Sequence, residues 1–205
     1  MFPDLARDDV FRLETSRLWL RWPRICDAAA IHKFCSQWEV VRYTARIPHP
    51  YPRGSADRFI YAAREANSAG RDMALVMAPI KGKSDAIGCI SLESRGTDRL
   101  ALGFVLAPEM WGKGLATEAA EAVIDAAFAL TRTVEILASV RVENEASQAV
   151  LRKCGFSRIG GGLQGAPARG GLVECHSFRL ARANWTRVEA PRLDAGPPIE
   201  LARAP

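Results

Sequence analysis

Residues 102–118 read Leu-Gly-Phe-Val-Leu-Ala-Pro-Glu-Met-Trp-Gly-Lys-Gly-Leu-Ala-Thr-Glu, an apolar run broken by Pro108, then Gly112 and Gly114 around Lys113, then a helical pattern. A strand ending in such a loop delivers the chain to a helix N-terminus, whose first N–H groups lack helical partners and carry about half a positive charge. Gly112 and Gly114 can adopt positive φ, and their missing side chains let a ligand approach the main chain closely. Lys113 adds a mobile cation. The combination suits a phosphate or diphosphate held mainly by backbone. The spacing lacks the third glycine of the Rossmann fingerprint, and no Ser or Thr follows the lysine as a P-loop requires. A plain strand-turn-helix corner, with the glycines only making the bend, is the local alternative.

Four more positions could take part in proton transfer or ligand binding. Asn144 and Ser147 open a shorter helix, where each can cap free N–H groups. Glu93 ends a strand beside a turn, a place where a carboxylate is ordinarily solvated. His49 lies in the loop Pro48-His-Pro-Tyr51, and an unperturbed imidazole titrates near neutral pH. His32, His176 and Cys154 read instead as hydrogen-bonded or packed structural groups.

The elements that must hold these residues follow from periodicity and turn chemistry. Leu18–Trp22 is a first strand stopped by Pro23, with Asp27 placed to cap a helix through Cys35. A proline-rich loop, 47–52, leads to a helix that Ser55 can cap, with Phe59, Ile60, Ala63 and Ala66 on one side until Gly70. Strands are expected at 73–78, 86–92 and 100–106, joined by turns at 81–85 and 94–98, so that an antiparallel meander results. Leu115, Ala119, Ala122, Val123, Ala126, Ala127 and Leu130 recur at helical spacing. Glu118 and Glu121 fall near the start of that helix, where acids suit the dipole. A strand at 135–140, a helix at 147–154 and closing strands at 156–159 and 175–180 complete an α+β order with one crossover. The stretch 160–171, with six glycines in twelve residues, reads as a mobile loop.

A chain of 205 residues, 48% hydrophobic, can build one well-packed domain. Its excess of five positive charges comes from scattered arginines, without the clustered run of a nucleic-acid or membrane patch. Five cysteines, odd in number and never spaced Cys-x-x-Cys, indicate neither a zinc site nor a disulfide framework and suit a reducing cytoplasm. Residues 1–25 lack the apolar core of a signal peptide, and no 18-residue apolar run could span a bilayer. Residues 186–205 have no apolar period and are expected to be disordered or docked on a partner.

Trp111-Gly-Lys-Gly-Leu-Ala116 resembles motif A of the GCN5-related N-acetyltransferases, with Trp111 where the family usually has Gln or Arg. Residues 142–156, Val-Glu-Asn-Glu-Ala-Ser-Gln-Ala-Val-Leu-Arg-Lys-Cys-Gly-Phe, resemble the Asn-x-x-Ser-x-x-x-Leu-x-x-x-Gly-Phe segment of the branch that includes the ribosomal-protein alanine N-acetyltransferases. The likeness runs from about Leu13 to Trp185 and includes an opening Glu-Thr-Ser-Arg-Leu-Trp-Leu-Arg.

The resemblance implies a single domain over residues 1–185 with a mixed, mostly antiparallel central sheet flanked by helices. It implies acetyl transfer from acetyl-CoA to a primary amine by direct attack, without a metal. The expected cofactor-binding residues are Phe104, Val105 and Leu106 along the pantetheine arm, Trp111, Gly112, Lys113, Gly114, Leu115, Ala116 and Thr117 around the diphosphate, and Asn144 and Ser147 nearby. Ser147 is the expected acid for the departing thiolate, and Glu93 through water, or His49, the expected base. Trp38, Arg42, Tyr43 and Tyr51 are expected to flank the acceptor cleft. The expected partners are acetyl-CoA and an amine, a protein N-terminus or a small molecule; no nucleic acid or membrane is expected, and a homodimer is admitted. Ala101 stands where the branch often carries a glutamate, and this departure motivates the alternative of a CoA-binding sensor without turnover.

Overall fold

The computed structural model describes residues 1–82 and 85–185, so the expected C-terminal tail lies outside the described residues. Alternation sets the strands: in β2 (Leu18–Arg21) Leu18 and Leu20 are buried while Trp19 and Arg21 are only partly so, which faces the leucines to the core. A strand absent from the sequence expectation, β1 (Arg12–Glu14), pairs antiparallel with β2 and buries Leu13. Next come β3 (Met73–Pro79), β4 (Gly88–Ser94) and β5 (Arg99–Leu106), each antiparallel to its predecessor, as the expected meander requires. β3 is buried on both faces and so lies at the centre of a two-sided layer.

Helices cover both faces of the sheet. On one, α1 (Ala28–Cys35), the single turn α2 (Trp38–Val41) and α3 (Ser55–Ser68) pack Ile31, Phe34, Val41 and Ile60 against Val76 and Cys89. On the other, α4 (Leu115–Leu130) brings Ala119, Ala120, Val123, Ile124, Ala126 and Ala127 onto Leu20, Leu75, Ile90 and Leu100. These alanines, all fully buried, let the helix axis approach the sheet closely. Arg182 closes the far end of α4, donating to the carbonyls of Phe128, Thr131 and Thr133 where a cation suits the helix dipole.

α4 is the crossover that makes β5 and β6 (Glu135–Arg141) parallel. The chain continues through α5 (Glu145–Lys153), β7 (Ser157–Ala166) and β8 (Gly171–Ala181), and β8 inserts between β6 and β7. The sheet order is β1-β2-β3-β4-β5-β6-β8-β7.

Three local expectations change. The segment 160–171, expected as a mobile loop, is the greater part of β7 and the tip of a long β-hairpin, with its turn at Pro167–Arg169. Gly161 lies so near β8 that a Cβ there would stand 2.8 Å from the Cys175 carbonyl oxygen, so glycine serves close strand approach rather than looseness. Asp27 does not cap α1; its buried carboxylate accepts from the Arg24 N–H at 2.7 Å and from both terminal nitrogens of Arg21. Ser55 is the first residue of α3 rather than its cap, a position that Gly54 takes at φ +74°.

Buried Asn67 joins α3 to β3, accepting from the Ala74 N–H at 2.7 Å and donating to the Ala74 carbonyl at 2.9 Å. Asn67→Ala would leave both groups of a buried strand unpaired. Chemical denaturation should show a loss of about 2–4 kcal/mol, with CoA affinity in the folded protein unchanged.

Candidate active site

Strands β5 and β6 pair only through Arg99–Glu135, Leu100–Ile136 and Ala101–Leu137. Each strand then continues, β5 through Leu106 and β6 through Arg141, without further pairing to the other. The result is a gap that widens toward their C-terminal ends. Ala107 N–H donates to the Ile87 carbonyl at 2.8 Å, and the antiparallel pattern alternates along the strand. The main-chain groups of Gly103 and Val105 therefore face β4, and those of Leu102, Phe104 and Leu106 face the gap. Of the three residues expected to meet a pantetheine arm, Phe104 and Leu106 offer free-edge groups. Val105 spends its own on β4, and the Leu106 carbonyl accepts the Trp111 indole N–H at 2.7 Å.

At the mouth of the gap the chain makes a turn, Pro108–Met110, and enters the glycine loop. Gly112 and Gly114 both lie in the left-handed region, at φ +71° and +76°, and Gly114 is the N-cap of α4. The Trp111 N–H is taken by the Pro108 carbonyl at 3.1 Å, so the open amides begin one residue later than the expected set. Among the described residues no acceptor reaches the main-chain N–H groups from Gly112 to Thr117; the next, Glu118, bonds the Gly114 carbonyl at 3.1 Å. A Cβ on Gly112 would meet nothing within 4 Å, which leaves open space beside the loop. The Lys113 ammonium, 3.9 Å from the Met110 sulfur, has no carboxylate partner among the described residues.

Because β5 and β6 are parallel, the helix after β6 starts at the same mouth. Asn144 caps α5, its side-chain oxygen accepting from the Ser147 N–H at 3.1 Å, which leaves its amide nitrogen without a partner among the described residues. Buried Gln148 fixes this corner by donating to the Val142 carbonyl at 2.9 Å and meeting His176 Nδ1 at 3.1 Å.

On the face of α1 to α3 lie the residues expected around an acceptor. Glu93 is paired with Arg46 and, at 3.1 Å, with Arg95. Trp38 stacks at a tilt on His49, with centroids 5.3 Å apart, and Arg42 lies over the Tyr43 ring at 4.5 Å. Tyr51 turns inward against His32 and packs with the cluster that contains Cys35 and Cys89. Burial, with smaller contributions from those thiols, pushes its phenol well above the ordinary value. Burial also pushes the Cys35 thiol up to about 12.

Two arginines that the sequence did not single out shape the site. Arg169, at the tip of the β7–β8 hairpin, donates to the carbonyls of Val41, Thr44 and Ile47 and lies over the Trp38 ring at 5.3 Å. It ties the hairpin to the segment after α2. Arg17, just before β2, donates to the Lys113 carbonyl at 2.8 Å and grips Glu118 in the first turn of α4. Neither contact has a local signal, since the partners are separated by about a hundred residues or more.

An open parallel pair with an amide-lined loop at its mouth is the architecture of a thioester-dependent acyltransferase. The sequence profile of the acetyltransferase (GNAT) domain matches residues 17–157, and the chain belongs to that family. The uncharacterized N-acetyltransferase YoaA of Bacillus subtilis is 31% identical over 150 residues, 72% of this chain and 84% of the relative. The uncharacterized N-acetyltransferase p20 of Bacillus licheniformis is 26% identical over 175 residues, 84% of this chain and 97% of the relative. Among solved structures, Mycobacterium smegmatis RimJ in complex with CoA-disulfide shares the fold with a TM-score of 0.76 at 20% identity, covering 91% of this chain and 93% of RimJ. The protein is thus an acetyl-CoA-dependent acyltransferase. Among the described residues no group of acids, histidines and cysteines could hold a metal, and no helix is long and apolar enough to cross a membrane.

Burial alone would raise the Glu118 carboxyl, but hydrogen bonds from Thr15 and Arg17 and the Arg17 charge outweigh it and hold the group below its ordinary value of 4.5. A depressed carboxylate stabilises the fold fully above that ordinary value and loses the contribution as pH falls through the folded one. Glu118→Gln should therefore melt about 2–4 °C below the wild type at pH 7, with the gap narrowing as pH falls below the ordinary carboxylate range in thermal scans.

Proposed function

We propose that the protein acetylates a primary amine, a protein N-terminus or a small-molecule amine, by direct attack on acetyl-CoA. The supporting observation is the run of main-chain amides from Gly112 to Thr117, unpartnered among the described residues, at the mouth of the β5–β6 gap. Those amides, with Lys113, receive the diphosphate. The arm then lies along the free edge of β5 against Phe104 and Leu106, in the manner of an added strand. The Asn144 amide nitrogen donates to the arm from the opposite side.

The amine nitrogen attacks the thioester carbonyl carbon from the side of α2 and the hairpin tip. A C–N bond forms, and negative charge on the carbonyl oxygen is held by a main-chain N–H of the open β5 edge. The C–S bond then breaks, and the Ser147 hydroxyl, which has no hydrogen-bond partner among the described residues, relays a proton to the thiolate as it takes one from solvent water, so that free thiol leaves and the serine is restored. The proton lost by the amine passes to water ordered by Glu93. With Ala101 offering no carboxylate and Glu93 paired to two arginines, base catalysis by a side chain is a small part of the rate. Trp38, Arg42 and Tyr43 border the amine's approach. Four buried cysteines, with no disulfide among the described residues, suit a reducing cytoplasm, and the outer edge of β7 offers a surface for a homodimer.

The test is thiol release from acetyl-CoA with a panel of amines that includes an N-terminal alanine peptide and a polyamine. Gly114→Asp places an acid among the amides and should abolish measurable CoA binding in calorimetry while the fold survives. Ser147→Ala should lower kcat by about 10²-fold with little change in the KM for acetyl-CoA. CoA binding without turnover of any amine would favour the sensor reading, and unchanged binding by Gly114→Asp would remove the loop from the site.

A further inference from the structure

The peptide between Lys113 and Gly114 sits at the centre of the glycine loop. Glycine populates positive and negative φ with similar ease, so this peptide plane can rotate unless something holds one end. In a trans peptide the C=O and the following N–H point in opposite directions. A bond that fixes the Lys113 carbonyl therefore also aims the Gly114 N–H. Arg17 Nη1 makes that bond at 2.8 Å.

Arg17 is itself fixed. Glu118 Oε2 stands 2.6 Å from both Nε and Nη2 of its guanidinium, while Oε1 accepts the Arg17 main-chain N–H at 2.8 Å and the Thr15 hydroxyl at 2.6 Å. One carboxylate in the first turn of α4 thus sets the end of the Thr15–Arg17 turn, and that turn sets a peptide in the loop before the same helix. The arrangement closes a ring: helix, turn, loop, helix.

We propose that Arg17, held by Glu118 and Thr15, is a positioning residue that locks the Lys113–Gly114 peptide with its N–H turned toward the cofactor diphosphate. The proposal rests on the reading that this loop receives the diphosphate. Arg17 could in principle act instead as a direct cation for the phosphates, but its charge is already matched by Glu118 at contact distance, and three of its donors are engaged. The pair acts through geometry. Lysine cannot replace the arginine, because a single ammonium cannot both grip the carboxylate in a fork and reach the Lys113 carbonyl.

Glu118→Gln separates the two modes of action by sign. If the carboxylate orients the guanidinium, calorimetric titration with CoA should show Kd rising about 10-fold. If Arg17 serves as a free cation, removing its acidic partner should lower Kd. Arg17→Met and Arg17→Lys should each raise Kd about 10- to 100-fold. In steady-state kinetics the loss should appear in the KM for acetyl-CoA, with kcat and the KM for the amine unchanged, a split that a general loosening of the fold would not give. Thr15→Val, which removes one donor to Glu118 and leaves Arg17 intact, should raise Kd about 3-fold and keeps the idea testable if Arg17 variants do not fold. Tighter or unchanged CoA binding by Glu118→Gln, or full rescue by Arg17→Lys, would overturn the proposal. Failure of the underlying reading looks different: Gly114→Asp would then bind CoA as the wild type does, whatever Arg17 contributes.

Discussion

Two parallel strands that share three residue pairs and then part are an unusual expense for a sheet, because each carries unpaired peptide groups down its free edge. Everything around the site of this protein follows from that divergence. An extended ligand bearing amides can supply strand-like bonds to those groups. The parallel arrangement also requires a crossover, and the crossover helix must begin where β5 ends. The glycine loop and the start of α5 are therefore delivered to one mouth by topology alone, before any side chain is considered.

The divergence would be of little use if α4 could shift along the sheet. Half of its buried residues are alanine, which provides close approach but little interlocking, and contacts at the two ends add to its hold along the axis. Arg182 gathers three carbonyls at the C-terminal end, and Trp185 adds an indole bond to Asp125 at 2.6 Å. At the N-terminal end the Glu118 carboxylate does the equivalent task through Thr15 and Arg17. Half-exposed ion pairs contribute little to stability, about 0–1 kcal/mol each. Their worth in this place is directional, since a guanidinium with three donors engaged by Glu118 and the Lys113 carbonyl has one orientation.

The sequence shows most clearly those features whose cause is local. The glycines around Lys113, the helical period after them and the turn-bounded apolar strands of the meander all declare themselves within a dozen residues, and the structure has them in about those places. The hairpin of β7 and β8 does not, because glycine-rich composition ordinarily signals a loop. What makes Gly161 a strand residue is the carbonyl of Cys175 on the neighbouring strand, a fact of pairing rather than of composition. Arg17 and Arg169 stayed silent for the same reason, each acting on carbonyls, and a carbonyl has no letter in a sequence. Asp27 looked like a helix cap because acids at that spacing usually are; the Arg21 guanidinium one strand away competes more strongly for a buried carboxylate.

The acceptor side completes the logic. A pocket for an amine needs a wall opposite the gap, and β7 and β8 alone would leave that wall free to swing. Arg169 prevents this by spanning the carbonyls of Val41, Thr44 and Ile47 with a single planar group, while its face rests on Trp38. One side chain thus joins the last hairpin of the sheet to the end of α2 and the segment after it, which border the amine in the proposed function. With Glu93 engaged by Arg46 and Arg95, the chemistry proposed for the site leans on main-chain donors held in place, and the arginines hold them. The proposed chemistry demands positional accuracy over reactive side chains, and charged groups committed to structure near this gap supply it.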